Sequence, residues 1–472
     1  MSQTLAPLAA DSANTQAASA YPIGTHNSLA YNGRTVPTLL FLLLNSTLLA
    51  ADAPSYFRDI RPLLQRQCQG CHQPSLKSGN LDLTTYDGFK TGGKRGPTTQ
   101  SLIPYLTGEN KPQMPLSQPP LAAAEIDLFR NWITAGASND TPVEASSDDK
   151  AIIYLQPSII NALAFSPDEK SLAVSGNREI LIHSITATAA PIRLAGLSER
   201  ILSLLYSTDG STLIAAGGTP ARFGEIQIWD LKTNKLRRSI TVTADTVFGA
   251  SLSPDNSTIA VGCTDNTVRL YDAVTGKELH KIGNHENWIL GTAFGADNKR
   301  IVSVSRDRAA KLTDATSGAF LENVNLLKGE LQAIARHPQK EIVVIGGDER
   351  VPYIYLMDRP KNMKIADDTT LIRKLERQPG AIAALAWSAN GTHIAVAGAA
   401  PEVNIYEAET GKRTATCKGH GAGGIYTIGF SPDGQTLATG GFDGKVRIYK
   451  VTTGELINQF VPVPLSAGVP NE

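Results

Sequence analysis

The stretch GHGAGGIYTIGFSPDGQTLATGGFDGKVRIYK, residues 419–450, decides the fold. An apolar run, IYTIGF, leads into Ser431-Pro432-Asp433-Gly434, and two further runs, TLATGG and KVRIYK, follow on either side of Phe442-Asp443-Gly444. Short apolar runs divided by Gly, Pro and Asp turns read as antiparallel strands. The turn recurs, in recognisable form, at Ser166-Pro167-Asp168, Ser207-Thr208-Asp209-Gly210, Ser253-Pro254-Asp255, Gly295-Ala296-Asp297, His337-Pro338-Gln339 and Ser388-Ala389-Asn390-Gly391. The intervals are 41, 46, 42, 42, 51 and 43 residues. A further strand before each new repeat, such as ELINQF after residue 454, brings each unit to four short strands. That period and strand count specify an all-β propeller, and seven turns predict seven blades over residues 151–463, with a tail at 464–472. Because the last repeat holds its own fourth strand, Ala151 to Gln156 (AIIYLQ) is expected to form either an added edge strand or a latch.

Polar residues recur inside the repeats at fixed places. Gly419-His420, Thr439, Asp443 and Tyr449 occupy them in the last repeat, His285, Ser303 and Asp307 repeat them in part, and Trp229-Asp230 stands at the end of a strand. These residues resemble the buried hydrogen-bond network of WD repeats, although repeats one, five and six have largely lost the polar positions. The resemblance implies that pairs such as His420 with Asp443 are structural.

Ahead of the repeats the pattern changes. Tyr56 to Gln67 spaces Phe57, Ile60, Leu63 and Leu64 as a helix does, with Pro62 best placed in a first turn, and Leu121 to Ala135 places Ile126, Phe129, Trp132 and Ile133 on a helix that Gly136 can close. Between them lies a polar, glycine-punctuated stretch with few apolar side chains. The segment 54–138 is therefore expected to be a small all-α domain that needs a large apolar filler for its core. Residues 139–150 read as an acidic linker.

The chemistry of this segment sits at its first helix. Four cysteines occur in the chain, and Cys68 and Cys71 are directly followed by His72. A C-x-x-C-H run suits covalent haem attachment, with two thiols for the vinyl groups and an adjacent imidazole as axial iron ligand. A zinc site would need more ligands, yet residues 54–150 hold no other Cys or His. A dithiol redox pair would want a strand-to-helix setting, which is missing. Met114, the one methionine of the segment, lies 42 residues past His72 and precedes Pro115, making it the candidate second axial ligand. Cys263 and Cys417, in different repeats, are expected to be buried free thiols.

The segment as a whole resembles the small cytochrome c modules common in planctomycete-type bacteria, which often accompany WD repeats. The matching residues are Asp59 to Pro62, Cys68 to His72, Gly79 to Leu83, Gly92-Gly93, Gly96-Pro97, Met114-Pro115, Pro119 to Leu121, and Glu125-Ile126 through Trp132-Ile133 to Gly136-Ala137. The sequence departs from that pattern after Pro97, where Thr98-Thr99-Gln100 replaces a longer loop. The resemblance implies haem binding and one-electron transfer, with one covalent haem c per chain, and a redox partner protein or another cell-envelope protein docked on the propeller. A catalytic site on the propeller fed by the cytochrome, or a redox-sensing scaffold, are the alternatives. No constellation for catalysis stands out in the repeats, so an electron carrier is favoured over a stand-alone enzyme.

Residues 1–53 read as a leader. Val36 to Ala50 (VPTLLFLLLNSTLLA) is apolar, follows Arg34, and ends at Ala51-Asp52-Ala53, a small-x-small cleavage pattern. Export to the periplasm is expected, with membrane anchoring by an uncleaved leader as the alternative. The run is shorter than a spanning helix needs and is interrupted by Pro37, Asn45, Ser46 and Thr47, which makes a permanent span the weaker option. Forty-four basic residues balance 44 acidic ones, and no basic stripe argues for nucleic acid. Gly92-Gly93-Lys94-Arg95-Gly96 lacks the ending of a phosphate loop and reads as a flexible or haem-adjacent loop. The charged insert Asp358 to Gln378 is expected to be a solvated insertion.

Overall fold

The computed structural model describes residues 53–73, 76, 78–116, 118–140, 152–186, 189–325, 329–360 and 369–466. The leader run Val36 to Ala50, nearly all of the 139–150 linker, the middle of the 358–378 insert and the last six residues lie outside the described residues.

Five of the seven repeats open on the same local chemistry, Gly295 and His337 replacing the serine in the other two. In the first turn of a repeat the serine hydroxyl donates to the Asp or Asn two residues on, as from Ser166 to Asp168 (2.6 Å), Ser253 to Asp255 (2.5 Å) and Ser388 to Asn390 (2.7 Å). The same hydroxyl accepts the N–H five residues on, as from Ser171 (2.9 Å) and Thr258 (2.9 Å), which closes the hairpin. The last turn residue takes a positive φ, 62° at Asn256 and 69° at Gly434, which is why Gly and Asn recur there.

Among the described residues seven four-stranded antiparallel blades follow. The strand Ile192–Tyr206 serves two of them: its first part pairs with Asn177–Ser184 as the outer strand of blade one, and its second part pairs with Thr212–Thr219 as the inner strand of blade two. Blades three to seven begin with the inner strands Val247–Leu252, Ile289–Phe294, Leu331–Arg336, Ile382–Trp387 and Ile425–Phe430. Neighbouring inner strands pack side by side around a closed ring. Blade one meets blade seven directly, through Leu163 N–H to Thr427 Oγ1 (3.1 Å) and Ile160 N–H to the Gly441 carbonyl (3.0 Å).

One register position recurs in five of the seven blades, His183 and Thr313 holding it in blades one and four. The aromatic residue near the end of the third strand faces an aliphatic one on the second: Trp229 on Leu213, Tyr271 on Ile259, Tyr355 on Val343, Tyr406 on Ile394 and Tyr449 on Leu437, all buried. Such cross-strand pairs supply much of a sheet's stability. The inner strand of each of blades two to seven also carries a bulge near its start. Opposite it, a Cβ on Gly217, Gly347 or Gly398 would lie 1.9 Å from a backbone oxygen, so the close approach in those three blades requires glycine. Cys263 and Ser305 hold the equivalent place in blades three and four.

Tyr154 resolves the choice left open for residues 151–156. It makes an isolated parallel bridge to Leu465 and packs with Leu181 and Val463, while its hydroxyl donates to Glu179 (2.8 Å). The segment is a latch between the two ends of the repeat region and joins no blade.

The helical segment departs from expectation in its middle. A π-helical turn, Tyr56–Ile60, runs into α1 (Arg61–Gln67), with Pro62 in the first turn as its missing N–H requires. Two helices, α2 (Tyr86–Thr91) and α3 (Thr98–Thr107), then occupy the stretch expected to be loop, before α4 (Ala123–Thr134). They bring Phe89, Leu102 and Leu106 into a core with Tyr56, Leu64, Phe129 and Trp132. The segment thus has an apolar interior of its own, built on spaced single residues rather than a continuous pattern. Arg66 joins α1 to α4 through Glu125 (2.7 Å), a half-exposed ion pair of small value. The docking of this domain on the repeats is local: Leu76 packs into the cluster of blades one and two that contains Trp229 and Leu236.

Candidate functional site

Helix α1 ends at Cys68, whose N–H still donates to the Leu64 carbonyl (2.9 Å). The chain then turns tightly, with Cys71 and His72 N–H groups both donating to the Cys68 carbonyl (3.2 and 3.1 Å). This turn puts Cys68, Cys71 and His72 on one wall of a cavity of about 300 Å³. Met114 lines the same cavity, held by its N–H to the Tyr105 carbonyl (2.9 Å) and packed against the helical core. The four site residues expected from sequence therefore come together, although 42 residues separate His72 from Met114.

His72 Nδ1 lies 2.9 Å from the Ser78 carbonyl. Nδ1 then carries the proton and donates, leaving the Nε2 lone pair available, the arrangement usual for a metal-binding imidazole. Burial lowers the proton affinity of the ring, against the opposing pull of the Ser78 bond, and so favours the neutral form. Burial likewise pushes the Cys68 thiol up to about 12 and raises that of Cys71, though Cys71 is exposed at the cavity mouth. Neither is a thiolate at neutral pH in this state, and both are free.

Leucines and prolines make up much of the remaining lining, Leu81, Leu83, Leu102 and Leu106 among them. Polar residues among the lining include Lys94, Arg95 and Thr98, and the Thr98 hydroxyl, in a residue 2% exposed at the start of α3, has no hydrogen-bond partner. Such orphaned groups are rare in folded proteins and call for a partner not made by the chain. Arg95 stands near it, its guanidinium on the Tyr105 hydroxyl and 5.1 Å over the ring. Sequence reading missed Thr98 and Tyr105 as lining residues. It also missed Ser239 and Thr241, which reach the cavity from blade two, since nothing in a sequence relates residues so far apart.

The polar networks of the repeats differ from the expected ranking. In blade four, His285 Nδ1 meets Asp307 (2.7 Å) and Nε2 meets the Ser303 hydroxyl (2.7 Å), a complete buried network. In blade seven the expected pair is absent. Arg447 intervenes, with one nitrogen 2.7 Å from Asp443 and another 3.3 Å from His420 Nδ1, because a guanidinium is the stronger partner for a carboxylate. Burial and the Arg447 charge push His420 down to about 4, and Thr439 lies 3.2 Å from its Nε2. Cys263 and Cys417 are buried and free.

The blade-four network carries a pH prediction. Burial raises the Asp307 carboxyl, but hydrogen bonds from His285 and from the N–H groups of Glu286 and Ala309 hold it, on balance, well below the usual carboxylate range. A depressed carboxyl adds stability above its unfolded value, about 3.9, and loses it as pH falls through the folded value. Asp307→Asn is expected to cost about 1–3 kcal/mol at pH 7, read from the urea midpoint, and the gap to the parent protein is expected to close toward pH 2. A gap unchanged at pH 2 would assign the loss to packing.

Three stretches, residues 234–272, 276–314 and 411–450, match the family model WD domain, G-beta repeat. Each begins at the outer strand of one blade and ends at the third strand of the next, so the sequence repeat straddles two blades. The chain is 32% identical over 91 residues to NACHT and WD repeat domain-containing protein 2 of Mus musculus, covering 19% of this chain and 5% of that protein. It is 34% identical over 78 residues to Superkiller complex protein 8 of Dictyostelium discoideum, covering 16% and 25%, and 27% identical over 126 residues to Protein LST8 homolog of Drosophila melanogaster, covering 26% and 39%. The chain thus spans well under half the length of these relatives. Together with the blade geometry, these likenesses identify the chain as one that carries WD repeats in a mostly-β, repeat-built fold.

Proposed function

We propose that this chain is an exported mono-haem c-type cytochrome that passes single electrons, its propeller serving as a docking scaffold for a redox partner protein. The observation that carries the reading is that Cys68, Cys71, His72 and Met114 line one cavity. In it Cys68 and Cys71 would carry the thioether tethers, and His72, oriented by Ser78, and Met114 would hold the iron. A haem held by these residues would supply a ferric–ferrous couple suited to electron transfer. The apolar lining suits the macrocycle, and the cavity volume falls within the range of cofactor clefts. Lys94 and Arg95 in the lining offer positive charge for its carboxylates.

Competing chemistries fit the residues less well. Zinc needs about four donors, mostly thiolate or imidazole, and among the described residues no three His, Cys, Asp or Glu side chains stand close enough to hold a metal. A reactive dithiol needs a depressed thiol, whereas burial raises both. Export rests on the Val36 to Ala50 run, which lies outside the described residues, and among those described no helix is long and apolar enough to cross a membrane.

The test is an optical titration of protein made with a c-type haem maturation system, beside Met114→Ala. One covalent haem per chain by pyridine haemochrome is expected, with the long-wavelength sulfur-to-iron charge-transfer band present in the parent and lost in the variant. The variant is also expected to gain carbon monoxide binding. Carbon monoxide binding by the parent protein would instead favour catalysis at an open iron site, and absence of covalent haem would overturn the reading.

A further inference from the structure

Strand Lys235–Thr243, the outer strand of blade two, places Ser239 and Thr241 in the wall of the cavity that holds the C-x-x-C-H turn. The contact is made at the turn itself. A Cβ on Gly70, the second spacer between the cysteines, would lie 3.4 Å from Thr241 Oγ1 and 3.5 Å from the Ser239 carbonyl and hydroxyl. Leu76, just beyond His72, anchors the same turn against Trp229 and Leu236.

Behind Ser239 stands a buried acid. The Ser239 hydroxyl donates to one oxygen of Glu225, and the other oxygen accepts from Ser198 (2.5 Å) and from Gln227 Nε2 (2.9 Å). Gln227 is fixed in turn by Trp229 Nε1 (3.1 Å). Glu225 is 1% exposed, and among the described residues neutral donors alone satisfy it. A buried carboxylate with no paired cation is costly to keep, and an apolar residue would serve blade packing at less cost. Its position, one hydroxyl away from the cavity, gives it a use.

We propose that blade two completes the haem site, with Glu225 acting through Ser239 as a positioning residue whose negative charge lowers the reduction potential of the haem; this rests on the cytochrome reading above. A fixed negative charge beside the site favours ferric over ferrous iron, and burial of Glu225 and Ser239 strengthens its effect. Arg238 on the same strand, and Lys94 and Arg95 across the cavity, are the neighbouring positive groups, and the balance among these charges sets the potential. The propeller is then part of the redox site as well as a surface for partners.

The test is spectroelectrochemical titration of the full-length, haem-loaded protein with two variants and a control. Glu225→Gln keeps the shape and removes the charge, and it is expected to shift the redox equilibrium toward the reduced form by on the order of tenfold, equivalent to 59 mV for one electron. Thr241→Arg adds a positive charge at the wall, at the position paired across the sheet with Glu225, while leaving Glu225 and its hydrogen-bond donors in the chain, and it is expected to shift the equilibrium the same way. Asp209→Asn, in an exposed turn of the same blade, is expected to change nothing. If Glu225→Gln fails to fold, Thr241→Arg decides. Covalent haem with an unmoved potential in the folded variants would overturn this inference and leave the electron-carrier reading standing, whereas absence of covalent haem in the parent protein would overturn both.

Discussion

Replacing Cys68 and Cys71 together by alanine is expected to reduce covalent pigment from one haem per chain to none, by haem-stained denaturing gel and by pyridine haemochrome. The tether is a pair of carbon–sulfur bonds, so the loss is complete rather than graded. Each single variant keeps one thiol and is expected to retain a reduced amount of pigment with a shifted haemochrome band. The two singles should differ. Cys68 is half-buried at the end of α1, whereas Cys71 lies exposed at the cavity mouth against blade two. Attachment through Cys71 alone leaves the haem held from the more exposed side, and the Cys68→Ala protein is expected to lose its native haem spectrum at lower denaturant while keeping its covalent pigment. His72 is untouched in all three, so any haem retained without a covalent bond should still bind through the imidazole that Ser78 orients. Full pigmentation of the double variant would show that these thiols carry no haem and would return the C-x-x-C-H turn to a structural role.

The propeller was legible because its information is local and repeated. A Ser-x-Asp or Ser-x-Asn turn and the aromatic at the end of a third strand each answer to one local contact, and each recurs in five of the seven repeats at intervals that start near 41 residues. Four residues of the candidate site were legible for a different reason, since the spacing of Cys68, Cys71 and His72 is itself the chemistry, and Met114 had no rival in its segment. What escaped was non-local. Helices α2 and α3 are short and hold their core through Phe89, Leu102 and Leu106, too few for a periodic pattern to emerge. Arg447 displaces Asp443 from His420 through a charge preference that a motif of uncharged and acidic positions does not contain. The reach of Ser239 and Thr241 into the cavity depends on how one domain sits on another, and the docking residues Gly70 and Leu76 have no mark that separates them from ordinary loop residues.

Trp132 decides whether the cavity exists at all. It is 1% exposed at the centre of the helical core, stacked on Tyr56 (ring centroids 5.5 Å apart) and edge-on to Phe89 (5.1 Å), with its indole N–H donating to the Ser138 carbonyl (3.0 Å). Those contacts join α4 to the π-helical turn before α1 and to α2, so one side chain links three of the elements that shape the site. Trp132→Ala removes the ring contacts, opens a cavity and strands the Ser138 carbonyl, a combination that typically costs about 3–5 kcal/mol. That is a large share of what a domain of this size can hold in reserve. The helical signal at 222 nm is expected to melt at much lower urea than in the parent protein, and haem incorporation is expected to fall with it. Trp132→Phe keeps the stacking and loses chiefly the hydrogen bond, so it should recover most of the midpoint. The propeller has its own buried clusters, and its unfolding, followed in the variant by the fluorescence of Trp229, Trp288 and Trp387, is expected to stay within a few tenths of a kcal/mol of the parent. A shared loss in both transitions would mean instead that the contacts of Gly70 and Leu76 with blade two couple the domains into one cooperative unit.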